Sequence, residues 1–182
     1  MAAYPDAERL AGHFGKVVVA GKVGRDGRLI EPVVKLSSRA PGLDAVALAA
    51  ATASEFRPYK DGAGNFIAEL VEAPFSFDSI HSPGKGGGIL RYRCEQFALD
   101  ESWWRSVWPE ETKSELHSMF MGLRAIAVTQ SLSTLDAKTL KSMISDFDAR
   151  WTSAVETCRS RPDALMVDVL KPEGDWAKRM AQ

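Results

Sequence analysis

A tight turn between two runs of β-forming residues constrains the fold of this chain more than any other feature. In residues 16–23, one set of positions (Val17, Val19 and Val23) alternates with another (Val18, Ala20 and Lys22) at the period of two that is typical of a strand. Asp26 and Gly27 follow, and this pair favours a β-hairpin because glycine tolerates a positive φ. The return run, 29–36, contains Pro32, which cannot donate to a sheet. The pattern predicts a hairpin whose second strand is an edge strand or carries a bulge at Pro32.

A helix and a third strand are predicted next along the chain. Leu43–Phe56 is rich in alanine, and small residues on one face permit close packing on a sheet. This helix ends before Pro58, because the residue that precedes a proline is pushed out of the α region. Asn65–Phe77 alternates again, and Pro74 makes its second half typical of an edge. The order of the first part, residues 1–79, is therefore β-β-α-β.

The rest of the chain predicts a loop, a strand and a helical region. Residues 80–88 are rich in glycine and lack the spacing of a phosphate-binding loop, which favours a linker or a hairpin loop. Ile89–Leu99 alternates as a half-buried strand does. Apolar residues then recur at helical spacing, and the longest such segment predicts a helix over about Leu135–Arg161. We expect an α+β protein in which the β-β-α-β half is followed by an extra strand and a mostly helical half, 89–182.

Composition and charge argue against several classes of protein. The formal net charge is −1 and acidic and basic residues are interspersed, so the total charge shows no electrostatic footprint for nucleic acid or anionic lipid. No apolar run approaches the roughly 18 residues of a membrane span. The first residues show no basic segment followed by an apolar one, so no signal peptide is visible. A chain of 182 residues suits one globular domain or two small ones.

Two cysteines, Cys94 and Cys158, leave two interpretations open. One is a pair of buried thiols. The other is a disulfide that closes a loop of roughly 60 residues and stabilises the fold by ~4 kcal/mol in the chain-entropy model, which would require an oxidising compartment. The cysteines are not clustered, and His13, His81 and His117 lack the spacing of metal ligands. We therefore expect no metal and no cofactor.

A tryptophan-rich segment, residues 99–111, has side chains that could carry chemistry. It holds three of the five tryptophans beside acidic residues. A carboxylate packed against an indole can have a raised pKa, as a general acid needs. Tryptophans are also common where a helix meets a sheet, and there they pack into a small core between the two. The first interpretation gives an alternative function, an enzyme or small-ligand binder with a site between the two halves at Tyr92, Glu101, Trp103, Trp104 and Trp108.

Short motifs follow one another in a characteristic order through the first half. A Tyr-Pro pair precedes the hairpin, which reads GxVxVxxxVxxDGxL, and a segment reading LDxxAlxAxxxxxFxP covers the predicted helix. In this order and spacing the motifs resemble the C-terminal domain of the TonB family, over about residues 4–77. The residues that carry the resemblance are Tyr4, Pro5, Gly15, Asp26, Gly27, Leu43, Asp44, Phe56 and Pro58.

The resemblance implies where such a protein lies and what it binds. Members of the family lie in the periplasm of Gram-negative bacteria, anchored by an N-terminal membrane helix and a proline-rich spacer. Their C-terminal domain binds a short extended segment of an outer-membrane receptor at an exposed sheet edge. The energy of proton flow at the inner membrane is transmitted to the receptor through this domain. The present chain shows neither the membrane helix nor the spacer. The resemblance makes the third strand the candidate edge, through Asn65, Phe66, Ile67, Glu69, Val71 and Phe75.

The expected function is that of a periplasmic, non-enzymatic module that binds a protein of the cell envelope, such as an outer-membrane receptor peptide. If the strand predicted at Ile89–Leu99 pairs beside Asn65–Phe77, it would occupy the edge that a partner needs. An open third strand also allows homodimers through domain swapping. A cytosolic structural domain with two free thiols is the third interpretation.

Overall fold

The computed structural model describes residues 2–78, 88–110, 118–131 and 137–181. Helices and antiparallel strands are both present, which confirms the predicted α+β class. The chain forms two compact units. Residues up to Glu8 together with Phe14–Phe77 make the first, and Arg9–His13 together with the residues from Asp78 onward make the second. Residues 80–87 of the predicted linker lie outside the described residues.

A three-stranded antiparallel sheet and one helix form most of the first unit. The elements up to Phe77 are α1 (Asp6–Leu10), β1 (Gly15–Val23), β2 (Leu29–Leu36), α2 (Pro41–Ala53), β3 (Tyr59–Lys60), β4 (Phe66–Ile67) and β5 (Leu70–Phe77). The sheet has the strand order β2-β1-β5, and β3 pairs with β4 in a separate hairpin. The predicted β-β-α-β order is therefore confirmed for the main sheet.

One face of β1 forms the core of the first unit against α2. Val17 and Val19 alternate with more exposed residues and are fully buried. Leu43, Ala47 and Ala51 of α2 are fully buried as well, and α2 contacts all three strands of the sheet. Because two of these helical residues are alanines, the helix axis can lie close to the strands. The buried alternation on β1 and the alanine face of α2 are the two patterns that the sequence predicts.

The predicted third strand, Asn65–Phe77, is wrong as a single element. Phe66–Ile67 pairs with Tyr59–Lys60 in the small hairpin, and the strand of the main sheet begins only at Leu70. The backbone at positions 66 and 67 therefore pairs locally, within the hairpin, and not with β1. Alternation of apolar residues cannot distinguish one long strand from two short ones, because both have the same period.

β2 and β5 are the two edge strands of the sheet, and β2 is irregular where Pro32 lies. Ala20 pairs with Val33 and Lys22 pairs with Ile30, so the bulge in β2 includes Pro32. A bulge at the sheet edge leaves room for a residue that has no N–H to donate. Both expectations for Pro32 are therefore confirmed.

The turn between β1 and β2 requires glycine at position 27. Asp26 Oδ1 accepts a hydrogen bond from the Arg28 N–H at 3.0 Å. Gly27 has φ = +80°, and a Cβ there would lie 2.6 Å from the carbonyl oxygen of Phe56. The Phe56 N–H donates to the Gly27 carbonyl at 2.7 Å, so the segment that follows α2 is tied to the turn. A side chain at position 27 would break this contact as well as strain the backbone.

Asp44 connects the end of β2 to the start of α2. Its Oδ1 accepts from the N–H and the hydroxyl of Ser38, at 2.9 and 2.8 Å, and its Oδ2 accepts from the Ser37 hydroxyl at 2.5 Å. A carboxylate in the first turn is also stabilised by the positive end of the helix dipole. The neighbouring Leu43 is fully buried. The Leu-Asp pair of the motif therefore has a structural role.

The second unit is helical, and the strand predicted at Ile89–Leu99 is wrong. Residues 89–91 form a short 3₁₀ helix, and an α-helix begins at Cys94. The extended pairing that the described part of this segment does make is a single antiparallel bridge between Arg93 and Leu165. The elements are α3 (Cys94–Val107), α4 (Ser118–Ser131), α5 (Ala137–Ser160), α6 (Met166–Val169) and α7 (Glu173–Met180).

The long amphipathic helix predicted over residues 135–161 is confirmed as α5. Its buried residues recur at spacings of three and four, as a helix with one apolar face requires. Within the described ranges, no helix of the chain is both long enough and apolar enough to cross a membrane.

Four aromatic rings and one disulfide hold the core of the second unit together. Trp151 of α5 packs edge-to-face on Phe97 and on Phe120, with ring centroids 5.1 and 5.2 Å apart. Phe147 lies against both Phe120 and Trp151. Cys94 and Cys158, left open as thiols or disulfide, are bonded and connect the first residue of α3 to the last turns of α5.

Candidate functional site

The outer edge of β5 is the candidate site that the fold of the first unit presents. β5 pairs along its whole length with β1, from Leu70 opposite Lys22 to Phe77 opposite Gly15. Among the described residues, no strand pairs with its other edge. Ile89–Leu99, which would have occupied this edge if it paired there as a strand, is mostly helical and does not extend the sheet. An uncovered strand edge carries backbone donors and acceptors that a second strand can bind.

The register decides which residues of β5 direct their backbone groups outward. The Val23 N–H donates to the Glu69 carbonyl at 3.0 Å, which makes this pair hydrogen-bonded in the antiparallel register. Hydrogen-bonded pairs alternate with pairs whose backbone groups point away from each other. Val71, Ala73, Phe75 and Phe77 therefore direct their backbone groups at β1. The residues that direct theirs outward are Leu70, Glu72, Pro74 and Ser76.

Pro74 agrees with this assignment and modifies the edge. It occupies an outward position, where its missing N–H costs β5 no hydrogen bond to β1. The edge offers N–H donors at Leu70, Glu72 and Ser76, and carbonyl acceptors at all four outward positions. The gap in the row of donors also limits indiscriminate pairing with other strands.

The residues expected to bind a partner are distributed over two separate strands. Asn65 lies in the turn of the small hairpin, and Phe66 and Ile67 lie in β4. Glu69 precedes β5, and its carbonyl is used by β1. The sequence does contain a signal for the outward residues, because a proline in a strand must lie where its N–H is not needed. Counting in steps of two from Pro74 identifies Leu70, Glu72 and Ser76.

Val71 and Phe75, the remaining two expected residues, face the helix side of the sheet. Phe75 lies opposite the buried Val17, and Val71 and Phe75 are both half-buried. Their side chains therefore contribute to the packing of the first unit. Their backbone groups pair with β1, so neither residue can pair with an added strand.

The face of the sheet opposite α2 carries several exposed apolar side chains beside this edge. Leu70 is 63% exposed at the start of β5, and Ile30, Val33 and Leu36 of β2 are 50, 57 and 43% exposed. An ion pair between Lys35 of β2 and Glu72 of β5 crosses this face. A strand added at β5 would have every second side chain on this face, next to Leu70 and Glu72.

Asp61 shapes the turn of the small hairpin that precedes β5. Its Oδ1 accepts from the N–H groups of Asn65 and Ala63, at 2.7 and 2.9 Å, and its Oδ2 accepts from the Asn65 side-chain amide at 3.2 Å. The Asn65 N–H is the largest cause that holds the pKa of Asp61 below its ordinary value of 3.8, followed by the Asn65 side chain. Gly64, with φ = +85°, completes the turn.

Replacing Asp61 with alanine is expected to loosen this hairpin. The N–H groups of Ala63 and Asn65 lose their acceptor, so their amide hydrogen exchange should become several-fold faster, while exchange in β1 stays unchanged. Because the pKa is lowered in the folded state, the carboxylate stabilises the turn above pH 3.8 and this stabilisation is lost as the pH falls through the lowered value. Asp61→Asn is the matched control, since its side-chain oxygen can still accept. Equal protection in wild type and Asp61→Ala would contradict this role.

The tryptophan-rich segment of the second unit is used for packing and internal hydrogen bonds. Tyr92, Glu101 and Trp104 are each 1% exposed. The Glu101 carboxylate accepts from the Trp151 indole N–H at 3.1 Å and from Arg105 Nε at 3.0 Å. The Tyr92 hydroxyl donates to Asp100. The buried carboxylate proposed as a general acid is therefore held by structural donors.

The other residues of that alternative site are more exposed, and the described residues contain no metal-ligand cluster. Trp103 and Trp108 are half-buried, and the Trp103 ring packs on His13 with centroids 5.2 Å apart. In the part of the chain that the structure describes, no three His, Cys, Asp or Glu side chains are grouped so that they could hold a metal ion. His81 and His117 lie outside the described residues.

A family comparison matches the unit that contains the β5 edge. The family model is that of the Gram-negative bacterial TonB protein C-terminal domain, and it matches residues 2–78. Residues 2–78 are thus a TonB C-terminal-like domain. The resemblance inferred from the motifs is confirmed over this range, which is less than half of the chain. Comparison with curated proteins and with solved structures gives no match.

The TonB-type motif residues have structural roles in this domain. The Tyr4 ring packs on Phe77 of β5, with centroids 5.9 Å apart. Gly15, at φ = +145°, lies where a Cβ would be 3.3 Å from the Ser38 Cβ. Pro5 and Phe56 are half-buried. The motif therefore accounts for the TonB-like fold, and the edge of β5 is what that fold leaves available.

Proposed function

We propose that the TonB-like domain binds an extended segment of a protein partner by adding it to the outer edge of β5. The observation that carries this proposal is the row of outward backbone groups at Leu70, Glu72, Pro74 and Ser76. In β-augmentation, main-chain hydrogen bonds supply affinity and alternate side chains supply selectivity. Recognition is thus a property of the backbone, and the module acts as a binder with no catalytic step.

The partner is a protein of the cell envelope, such as a segment of an outer-membrane receptor, and the module works in the periplasm of a Gram-negative bacterium. The match of residues 2–78 to a Gram-negative TonB domain supports this location. The bond between Cys94 and Cys158 supports it independently, because disulfides persist in oxidising compartments such as the periplasm.

A proline at position 72 tests the proposal with little disturbance of the sheet. Glu72→Pro removes an outward N–H and places a ring at the edge, while pairing with β1 does not use this N–H. Pro74 shows that β5 accommodates a proline at an outward position. Random peptides of about a dozen residues, displayed on phage, are selected on the wild-type chain. Their affinity for Glu72→Pro should fall by about tenfold, since one hydrogen bond contributes about 1 kcal/mol and the ring adds a clash.

Glu72→Ala is the matched control, because it also loses the ion pair to Lys35 but keeps the N–H. It should bind the selected peptides within about twofold of wild type. Equal loss in the two variants would assign binding to the side chain and overturn edge recognition. Sedimentation of the free chain identifies the competing occupant, a second copy. If wild type dimerises and Glu72→Pro does not, the edge is used for self-association.

A further inference from the structure

A broad groove lies in the first unit where β5 begins. It has a volume of 1090 Å³ and opens between the β1–β2 turn, which carries Arg25, and the small hairpin of β3 and β4. Glu69, the residue directly before β5, belongs to its lining. A segment that pairs with β5 and continues past Leu70 therefore reaches this groove. The charged and aromatic side chains of the lining are Arg25, Arg57, Tyr59, Lys60, Phe66 and Glu69.

The charge of the groove is mainly positive, and no ion pair among the described residues neutralises its cations. Three cations, Arg25, Arg57 and Lys60, face one carboxylate, Glu69. Among the described residues, none of these three cations forms an ion pair. The other acidic side chain of the hairpin, Asp61, is occupied by the N–H groups of its own turn. Basic side chains close together without counter-charges favour an anionic ligand.

Aromatic contacts hold one of the cations in place. The guanidinium carbon of Arg25 lies 5.6 Å from the ring centroid of Phe66, a cation–π distance. Phe66 is itself fixed in β4 by pairing with Lys60. Arg25 therefore loses less conformational freedom on anion binding than an arginine without such a contact, because its side chain is already partly oriented.

We propose that this groove binds acidic side chains at one end of the segment that pairs with β5. The inference rests on the proposed function and deepens it by naming the chemistry of the partner: an extended peptide with clustered Asp or Glu residues beside its strand-forming part. The β5 edge recognises the backbone of any extended chain, and the groove selects those with carboxylates in the right place. Continuity with the β5 edge favours a peptide over other polyanions.

The experiment uses the full chain with Arg57→Glu and Lys60→Glu combined. The matched control is Lys138→Glu with Lys141→Glu, which makes the same change in net charge at two exposed lysines of α5. Peptides of about a dozen residues are selected on the wild type and measured against both variants. We expect enrichment of Asp and Glu at one end of the peptides. Affinity should fall by about tenfold in the groove variant and stay within about twofold in the control.

Salt dependence and a second polyanion complete the test. Binding of the acidic peptides to wild type should weaken as salt is raised, and the groove variant should lose most of this dependence. An oligodeoxythymidine is measured in parallel. If it binds wild type as tightly as the peptides and loses binding in the groove variant, the groove is a nucleic-acid site and the peptide assignment is overturned.

The two proposals fail in different ways. Peptides that bind Glu72→Pro poorly but show no enrichment of acidic residues would overturn the groove assignment and leave edge recognition standing. Peptides that bind Glu72→Pro poorly but bind the groove variant as well as wild type would have the same consequence. Acidic peptides that lose affinity for the groove variant and not for Glu72→Pro would overturn edge recognition and keep an anion-binding groove. Absence of any selected peptide would count against both.

Discussion

Removal of the Cys94–Cys158 disulfide is expected to lower the free energy of unfolding of the second unit by about 4 kcal/mol. The bond joins residues 64 positions apart and ties α3 to α5. Without it the unfolded chain gains conformational freedom, while the packing around two fully buried cysteines changes little. For a small domain this is a substantial share of the stability, since total stabilities are about 5–15 kcal/mol.

Tryptophan fluorescence measures this effect in one unit alone. All five tryptophans of the chain belong to the second unit, so a urea titration followed by fluorescence reports only on that unit. For a slope of about 2 kcal/mol per M, the midpoint should fall by about 2 M. Two routes to the same state serve as mutual controls: Cys94→Ala with Cys158→Ala, and the reduced wild type. Unchanged midpoints in both would contradict a stabilising bond and favour the interpretation of two buried thiols.

Replacement of Trp151 with alanine is expected to destabilise the second unit by about 4 kcal/mol. Trp151 is 2% exposed and packs on Phe97, Phe120 and Phe147. A cavity would remain among rings that belong to three different helices. The indole N–H also donates to Glu101, so its loss leaves a buried carboxylate with one donor fewer.

The measurement for this variant is thermal unfolding followed by far-ultraviolet circular dichroism, because the substitution removes a fluorescent reporter. Trp151→Phe separates the two contributions: it keeps an aromatic ring but no N–H, and should cost about 1–3 kcal/mol. Met121→Ala, at a side chain that is 45% exposed on α4, should change stability by less than about 0.5 kcal/mol. Equal effects of Trp151→Ala and Met121→Ala would show that the aromatic cluster is not the core.

The first hairpin could be predicted from the sequence because its signals are local. The turn at Asp26 and Gly27 depends on a backbone conformation that few residues adopt, and Pro32 excludes a central strand wherever it is placed. α2 and α5 were predictable for a similar reason, since a long apolar stripe repeats often enough to define its period. The match to the TonB family over residues 2–78 has the same origin, because its motif residues form the turns and the core.

The two wrong predictions of secondary structure concern short segments. In Ile89–Leu99, Leu90, Tyr92 and Cys94 fit a strand, yet Cys94 and Phe97, three residues apart, also fit a helix, and packing against α5 decides between them. In Asn65–Phe77 the alternation is continuous, but the turn at Asp61 pairs its beginning with β3. In both cases several residues carry a pattern that two structures share. Contacts with the distant helix α5 select one of them in the first segment, and pairing across the adjacent turn selects one in the second.

The features of the candidate site likewise separate into those that the sequence predicts and those that only the structure shows. Local chemistry in the sequence by itself determined the strands, the helix between them and the proline that marks an edge, because these depend on neighbouring residues. Only the tertiary structure decided that the two cysteines meet, that β5 begins at Leu70 and has no described strand at its outer edge, and that Arg25, Arg57 and Lys60 line one groove. The physical reason is that register and side-chain assembly depend on contacts between residues far apart in the chain, and one short pattern is compatible with several of them.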